Sequence, residues 1–198
     1  MAGLRLSRIQ PRVIEPVELE LAPGELVFVS GPSGSGKSLL LRAIADLDPH
    51  PGDAWLNGAS RSSMPAPAWR RRVGLLPADS HWWGEEVRDH FAADAADFVE
   101  PLGFEPEVMG WSVSRLSTGE RQRLALARLL ANGPEVLLLD EATANLDPTN
   151  RDRVEAVVEH YRRDQEAAVL WVSHDPDQRR RLGGRSLVIQ DGRLEPEQ

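Results

Sequence analysis

Residues Gly31-Pro32-Ser33-Gly34-Ser35-Gly36-Lys37-Ser38 fit the pattern G-x-x-x-x-G-K-[ST] in full. The pattern belongs to a loop that leaves a buried strand and opens a helix, and both flanks comply. Leu26 to Ser30 is a short continuous apolar run, as buried parallel strands are. Residues from about Ser38 to Leu47 read as a helix, stopped by Pro49, Pro51 and Gly52. Glycines let such a loop wrap close to phosphate oxygens, while its N–H groups and the helix N-terminus present partial positive charge. The plain alternative is a Gly-rich turn that only caps a helix; the order of strand, loop and helix argues against it.

Of 23 basic residues, 22 are arginine and only Lys37 is lysine. A chain this poor in lysine has kept one where arginine would not serve. Lys37 places a compact ammonium near β- and γ-phosphates, whereas a planar guanidinium would fill that space differently. Ser38 offers a hydroxyl to Mg2+.

Val136 to Leu139 is a second buried run, followed by Asp140 and Glu141. Ligand chemistry in open α/β sheets sits at the carboxyl ends of strands. Asp140 is placed to support a Mg2+ shell and Glu141 to polarise an attacking water. Taken alone, the two acids equally fit a solvated strand end or a helix cap.

The rest of the chain alternates strands and helices. Leu4–Ile9, Val17–Leu21, Ala54–Leu56, Val73–Leu76 and Ala168–Ser173 read as strands. Ser186–Gln190 and Arg193–Glu195 flank the tight turn Asp191-Gly192 as a hairpin. Helices are expected from about Ser117 to Ala131 and along Val154, Val157, Val158 and Tyr161. Gly84 to about Arg115 is acidic and Ala-rich with Pro101 and Pro106, and reads as a compact helical insert that reaches about residue 131 with the following helix. The expectation is one domain over residues 1–198, α/β, with a largely parallel core sheet.

Leu116-Ser117-Thr118-Gly119-Glu120-Arg121-Gln122-Arg123 precedes the second buried strand by some twenty residues. It resembles the signature segment, LSGGQ followed by a basic residue, of ATP-binding cassette proteins. Ser117 and Glu120 also have the S-x-x-E spacing of a capping box, and both readings can hold together. Ala144-Asn145-Leu146-Asp147 resembles the family loop that contacts the opposite subunit, and His174 resembles the switch histidine. The resemblance spans essentially the whole chain. Val169 to Asp175 and the brevity of the chain are similar to iron-export ATPase subunits within that family.

The resemblance implies a P-loop NTPase of cassette architecture, with a mostly parallel sheet, antiparallel β elements and a small helical subdomain. It implies hydrolysis of ATP to ADP and phosphate with Mg2+, by two cassettes facing head to tail in a homodimer. Gly31 through Ser38 and the Leu39 backbone would hold ATP, with Ser38 and Asp140 on the metal. Lys37, Glu141 and His174 would be catalytic, and Ser117, Gly119 and Glu120 would meet the partner's nucleotide. A separate transmembrane permease would be driven, with export of iron or another small solute expected. A soluble cassette acting on a protein or nucleic-acid partner is the second reading, and a cassette that scarcely turns over the third.

Four positions depart from the family pattern. Ala78, followed by Asp79, stands where a glutamine is usual; Leu39 replaces a second hydroxyl; Thr118 replaces a glycine; and no aromatic ring lies near Ile9 to Val13 to stack on adenine. Weak base selectivity is expected from the last. His81-Trp82-Trp83 lies where relatives contact the membrane subunit; the two rings either meet that partner or brace the insert.

Formal net charge is −8, and beyond Arg70–Arg72 and Arg179–Arg181 no basic run stands out. That balance argues against nucleic acid as the main partner. No cysteine is present, so neither disulfides nor thiolate metal sites enter. No apolar run reaches the ~18 residues of a membrane span, and Met1–Gln10 lacks a secretory core. The expected location is the cytoplasm, peripheral on the inner face of the membrane.

Overall fold

The periodicities resolve into two sheets. The computed structural model describes residues 3–91 and 96–197, without the Ala96 side chain. The elements are β1 (Leu4–Ile9), β2 (Val17–Leu21), β3 (Leu26–Ser30), α1 (Lys37–Ile44), β4 (Asp53–Leu56), β5 (Ala59–Ser60), α2 (Ala66–Arg72) and β6 (Val73–Leu76). They continue with α3 (Ala96–Val99), α4 (Thr118–Leu130), β7 (Val136–Asp140), α5 (Pro148–Asp164), β8 (Ala168–Val172), α6 (Pro176–Leu182), β9 (Arg185–Gln190) and β10 (Arg193–Pro196).

Strands that alternate in sequence form the four-stranded antiparallel sheet β2-β1-β4-β5. Leu4 and Leu6 point into the core while Arg5 stays exposed, the period of two a one-sided sheet requires, and a register shift between Leu6 and Ile9 returns Ile9 to the core. The unbroken apolar runs form the centre of a six-stranded sheet, β10-β9-β3-β8-β7-β6, parallel except for the β9–β10 hairpin. Every residue of β3, β7 and β8 is buried. Val27 and Val29 pack with Leu40, Leu41 and Ile44 of α1 on one face; Leu26 and Phe28 join Leu124 of α4 and Val158 of α5 on the other. Phe28 pairs with Trp171 across β3 and β8, their rings stacked at 5.9 Å, a contact worth about 0.5–1.5 kcal/mol beyond its buried area.

Register places the chemistry. Val29 lies opposite Val172, and Val172 opposite Asp140. The carboxyl ends of β3, β8 and β7 therefore finish in one row, with about 4.8 Å between neighbouring strands.

Helix starts follow local capping. Ser117 and Glu120 form a reciprocal capping box at α4, and Asp147 and Asp175 cap α5 and α6 ahead of Pro148 and Pro176. Each such cap contributes about 1 kcal/mol. Two expectations change. The insert over Gly84–Arg115 is built mainly of 3-10 turns, at Val87–His90, Glu100–Leu102, Pro106–Gly110 and Val113–Arg115, with α3 only four residues long. Pro101, Pro106 and Gly103 (φ 84°) break longer helices there; residues 92–95 of the insert lie outside the described residues. Its one extended helix is α4. The short helices α2 and α6, by contrast, have no counterpart in the expected elements. Trp69 anchors α2, fully buried with its indole N–H donated to Ile44 O at 2.9 Å.

Tyr161, the only tyrosine, donates its hydroxyl to Pro134 O at 2.9 Å and ties α5 to the end of α4. Burial, with a smaller contribution from Glu135, raises its pKa from 10.0 to about 12. The folded chain thus holds this proton where the unfolded chain has lost it, and stability falls as pH rises from about 10 to about 12. Phenolate difference absorbance will show ionisation near pH 12 in the folded chain and near 10 in denaturant; a native midpoint near 10 would mean the hydroxyl is not enclosed.

Candidate functional site

The row of strand ends gathers the phosphate loop, the acid pair and the histidine. The loop from Gly31 to Ser38 leaves β3 and turns into α1 at Gly36, which has φ 101°. Gly36 is required twice over, because a Cβ there would also stand 2.8 Å from Val13 Cγ2 and 2.9 Å from Ile14 Cδ1. The segment before β2 is thereby pressed against the loop. Helix α1 has no side-chain cap and no acid in its first turn, so its N-terminal N–H groups have no side-chain partner within the helix. Ser35 Oγ is buried in the loop without a hydrogen-bond partner. Both features fit a phosphate-bearing ligand.

Lys37 is 6% exposed, and its ammonium donates to Gly31 O and Pro32 O, both at 2.9 Å. Burial lowers its pKa; the charges of Glu141 and Asp140 oppose that shift. Asp140 ends β7, also 6% exposed. Burial pushes its pKa up; the Ser38 hydroxyl offsets part of the rise, Glu141 adds to it, and Lys37 and His174 weigh against it. Glu141 follows with φ 51°, a left-handed conformation that is strained for a glutamate and aims its side chain out of the strand line. His174 follows β8, and its Nε2 lies 3.2 Å from Glu141 Oε1. A cavity of about 300 Å3 opens there, lined by Glu141, Thr143, Ala144, Leu146, Arg151, Ser173, His174 and Asp175.

A second cavity, of about 250 Å3, runs from Leu39 in the first turn of α1 past Ala43 and is walled by Pro11, Arg12, Asp48, Pro49 and His50. No phenyl, phenol or indole ring lines it. Two of its polar walls are engaged: Asp48 accepts two bonds of 2.7 Å from Arg42, and the His50 ring nitrogens meet Pro51 O and Arg61, while Arg12 is exposed at the rim.

Ser117, Gly119 and Glu120 do not join the cluster around Lys37. Ser117 N–H and Oγ donate to Glu120 Oε2 at 2.8 Å, and Gly119 packs on the loop after β7. A Cβ at Gly119 would stand 3.1 Å from Leu146 Cδ2, so only glycine lets Leu146 seat there without displacement. Gln122 of α4 braces the loop after β6, donating to Pro77 O and accepting from Ser80 Oγ, both at 3.0 Å. Ala78 and Asp79 in that loop are exposed.

The pair Trp82-Trp83 is divided. Trp82 packs against the core shared by α4 and α5, whereas Trp83 is 73% exposed. His90 stands edge-on to both rings, at 4.7 and 4.5 Å, with Arg128 over them at 4.7 and 5.0 Å.

The family model described as "ABC transporter" matches residues 14–144. The chain belongs to the ABC transporter family. It is 33% identical over 180 residues to the "Probable iron export ATP-binding protein FetA" of Escherichia coli (strain K12), covering 84% of this chain and 80% of that one. It is 40% identical over 187 residues to the "Aliphatic sulfonates import ATP-binding protein SsuB 3" of Nocardia farcinica (strain IFM 10152), covering 92% and 73%. In structure it matches the ATP-binding cassette MJ0796, solved as a dimer bound to ADP and Pi, at TM-score 0.80 and 24% identity over 98% of this chain and 97% of that one. The cassette fold is thus established, and the chain is an ATP-binding cassette ATPase.

The sequence pointed to the phosphate loop, Asp140, Glu141 and His174, and the fold of the cassette brings them together. It did not point to a set of buried polar residues behind them. Thr143, Glu155 and Gln178 carry no motif, and the only local signal was Asp175-Pro176, a helix start. Two 2.9 Å bonds seat the Lys37 ammonium, and Lys37→Arg is expected to forfeit a charged hydrogen bond to phosphate. Nucleotide affinity should fall roughly 10- to 150-fold, or about 1.5–3 kcal/mol. Titration with a fluorescent nucleotide, with a thermal melt to confirm folding, measures this; unchanged affinity would remove Lys37 from the site.

Proposed function

We propose that the cassette powers a membrane transporter by hydrolysing Mg-ATP as a head-to-tail homodimer. The observation that carries the reading is the 3.2 Å approach of His174 Nε2 to Glu141 Oε1 at the mouth of the phosphate loop. Two side chains from two strand ends converge where a γ-phosphate held by Gly31–Ser38 would project.

In this reading the loop amides and Lys37 bind the β- and γ-phosphates. Glu141 orients a water and takes its proton as oxygen attacks the γ-phosphorus; the bond to the ADP oxygen breaks, and His174 holds the departing phosphate. Among the described residues no group of three or more His, Cys, Asp or Glu forms a metal cage. Ser38 and Asp140 instead supply one hydroxyl and one carboxylate, the sparse donor set of a Mg2+ that completes its shell with phosphates and water. Bound there, Mg2+ would neutralise charge on the phosphate oxygens. Ser117, Gly119 and Glu120 complete the partner's site across the dimer, and residues 1–198 act as one domain whose insert, residues 84–131, carries that segment.

The cavity beside Leu39 takes the base. Because Asp48 and His50 are engaged and no large aromatic ring lines the wall, it reads shape more than hydrogen bonds. Discrimination between ATP and GTP should therefore fall far short of the roughly 10^4-fold that a hydrogen-bonding pocket gives. Measured kcat/KM for both nucleotides tests this.

No helix of the described residues is long and apolar enough to cross a membrane; in this reading a separate permease supplies the span. Trp83, exposed beside Arg128, is the side chain offered to it. The relatives named above carry both an export and an import description; we assign export of iron or another small solute on the likeness to FetA, with the cassette seated on the inner face of the membrane.

Glu141→Gln should cut turnover by about 10^2- to 10^4-fold while leaving the closed dimer able to form. Tagged Glu141→Gln protein with Mg-ATP should retain a multi-span membrane protein from detergent-solubilised membranes, and Trp83→Ala in that background should release it. Recovery of a soluble partner instead would favour a cassette that works away from the membrane.

A further inference from the structure

Behind the converging pair lies a side chain that no motif marks. Gln178, on α6, has no exposed surface. Its amide is engaged on both sides: Oε1 accepts from Ser173 Oγ at 2.5 Å, and Nε2 donates to Thr143 Oγ1 and Glu155 Oε1, each at 3.0 Å. Ser173 is the residue before His174, and its Oγ also accepts the Asp175 N–H at 3.1 Å. Thr143 is two residues after Glu141. Glu155, its side chain 5% exposed, is held by Arg181 at 2.7 Å, so the third anchor is itself fixed and its charge paired. One amide thus ties the loop after β7 to the loop after β8, with α5 as the fixed point.

Beyond the strand ends, backbone bonds hold the loop after β7 to itself, Ala144 N–H to Glu141 O at 3.0 Å and Leu146 N–H to Thr143 O at 3.3 Å. Glu141 N–H reaches Val172 O at 3.1 Å, but the next residues of that loop turn away from the sheet with Glu141 at φ 51°. A left-handed glutamate persists only where the surroundings over-determine it. Thr143, 8% exposed and bonded to Gln178, is the nearest side-chain tether on that loop.

We propose that Gln178 is a positioning residue for hydrolysis: by bonding Ser173 and Thr143 at once it sets the separation of His174 and Glu141. It touches neither nucleotide nor water and acts through those two residues. The inference rests on the hydrolytic roles assigned above to Glu141 and His174.

Gln178→Met keeps the side chain's length and removes all three bonds; Thr143→Val keeps the shape of the threonine and removes one. Nucleotide binding does not pass through this network. Gln178→Met should therefore lower kcat about a hundredfold with KM for ATP within about threefold, and Thr143→Val should lower kcat by a smaller factor with the same split. The deciding measurement is the double variant with His174→Ala. If Gln178 acts through the histidine–glutamate pair, the two losses do not multiply, and the double variant turns over faster than the product of the single losses predicts. A melt scores folding; should Gln178→Met fail to fold, Thr143→Val is judged by the same split and the same double variant. Wild-type kcat in a folded variant, a loss confined to KM, or losses that multiply with His174→Ala would each overturn the proposal. Glu141→Gln run alongside tests the hydrolytic reading separately: if that variant keeps full turnover, it is the roles of the pair that fall.

Discussion

The parallel register of β3, β8 and β7 is the constraint on which the rest depends. Val29, Val172 and Asp140 share one row, so the next residue or two on each strand emerge side by side: the phosphate loop, His174 and Glu141. These strands are packed by α1 on one face and by α4 and α5 on the other. The row is therefore as rigid as the two cores that clamp it. Charged and strained groups are tolerated at its end for that reason. Lys37 and Asp140 are both nearly enclosed, and burial moves the pKa of each toward its neutral form while their mutual attraction resists.

Much of this was legible in the sequence because the two periodicities differ. Continuous runs marked β3, β7 and β8, alternation marked β1 and β2, and the G-x-x-x-x-G-K-S pattern fixed the loop between strand and helix. What escaped notice lacked period. Helix α2 is seven residues long, with Trp69 its one buried residue, too little to show an apolar period. The insert looked helical from its alanines, but its prolines and Gly103 divide it into 3-10 turns. Gln178 could not be found from sequence at all. A glutamine in a short Arg-rich helix has the pattern of a solvated face, and only the tertiary approach of Ser173, Thr143 and Glu155 gives it partners.

The departures from the family pattern divide in the same way. Where an aromatic ring is usual, the cavity beside α1 is walled by short apolar groups, by Asp48 and His50 already bonded elsewhere, and by the exposed Arg12. Where a glutamine is usual after β6, the loop is held from outside by Gln122 of α4. The second case links the insert to the sheet through a side chain within the signature helix. Gly119 makes a further link, since Leu146 rests on it. The segment from Ser117 to Glu120 and the loop that follows Glu141 are thus one packed unit within a single chain.

The lone lysine has a practical corollary. Apart from the chain's α-amine, an acylating reagent finds one aliphatic amine, and it sits at the foot of the phosphate loop. Enclosure lowers the pKa of that amine, which leaves more of it unprotonated and nucleophilic at a given pH. Labelling stoichiometry becomes a probe of the loop: the increment beyond that of the α-amine can come from one side-chain amine, Lys37, at the foot of the loop.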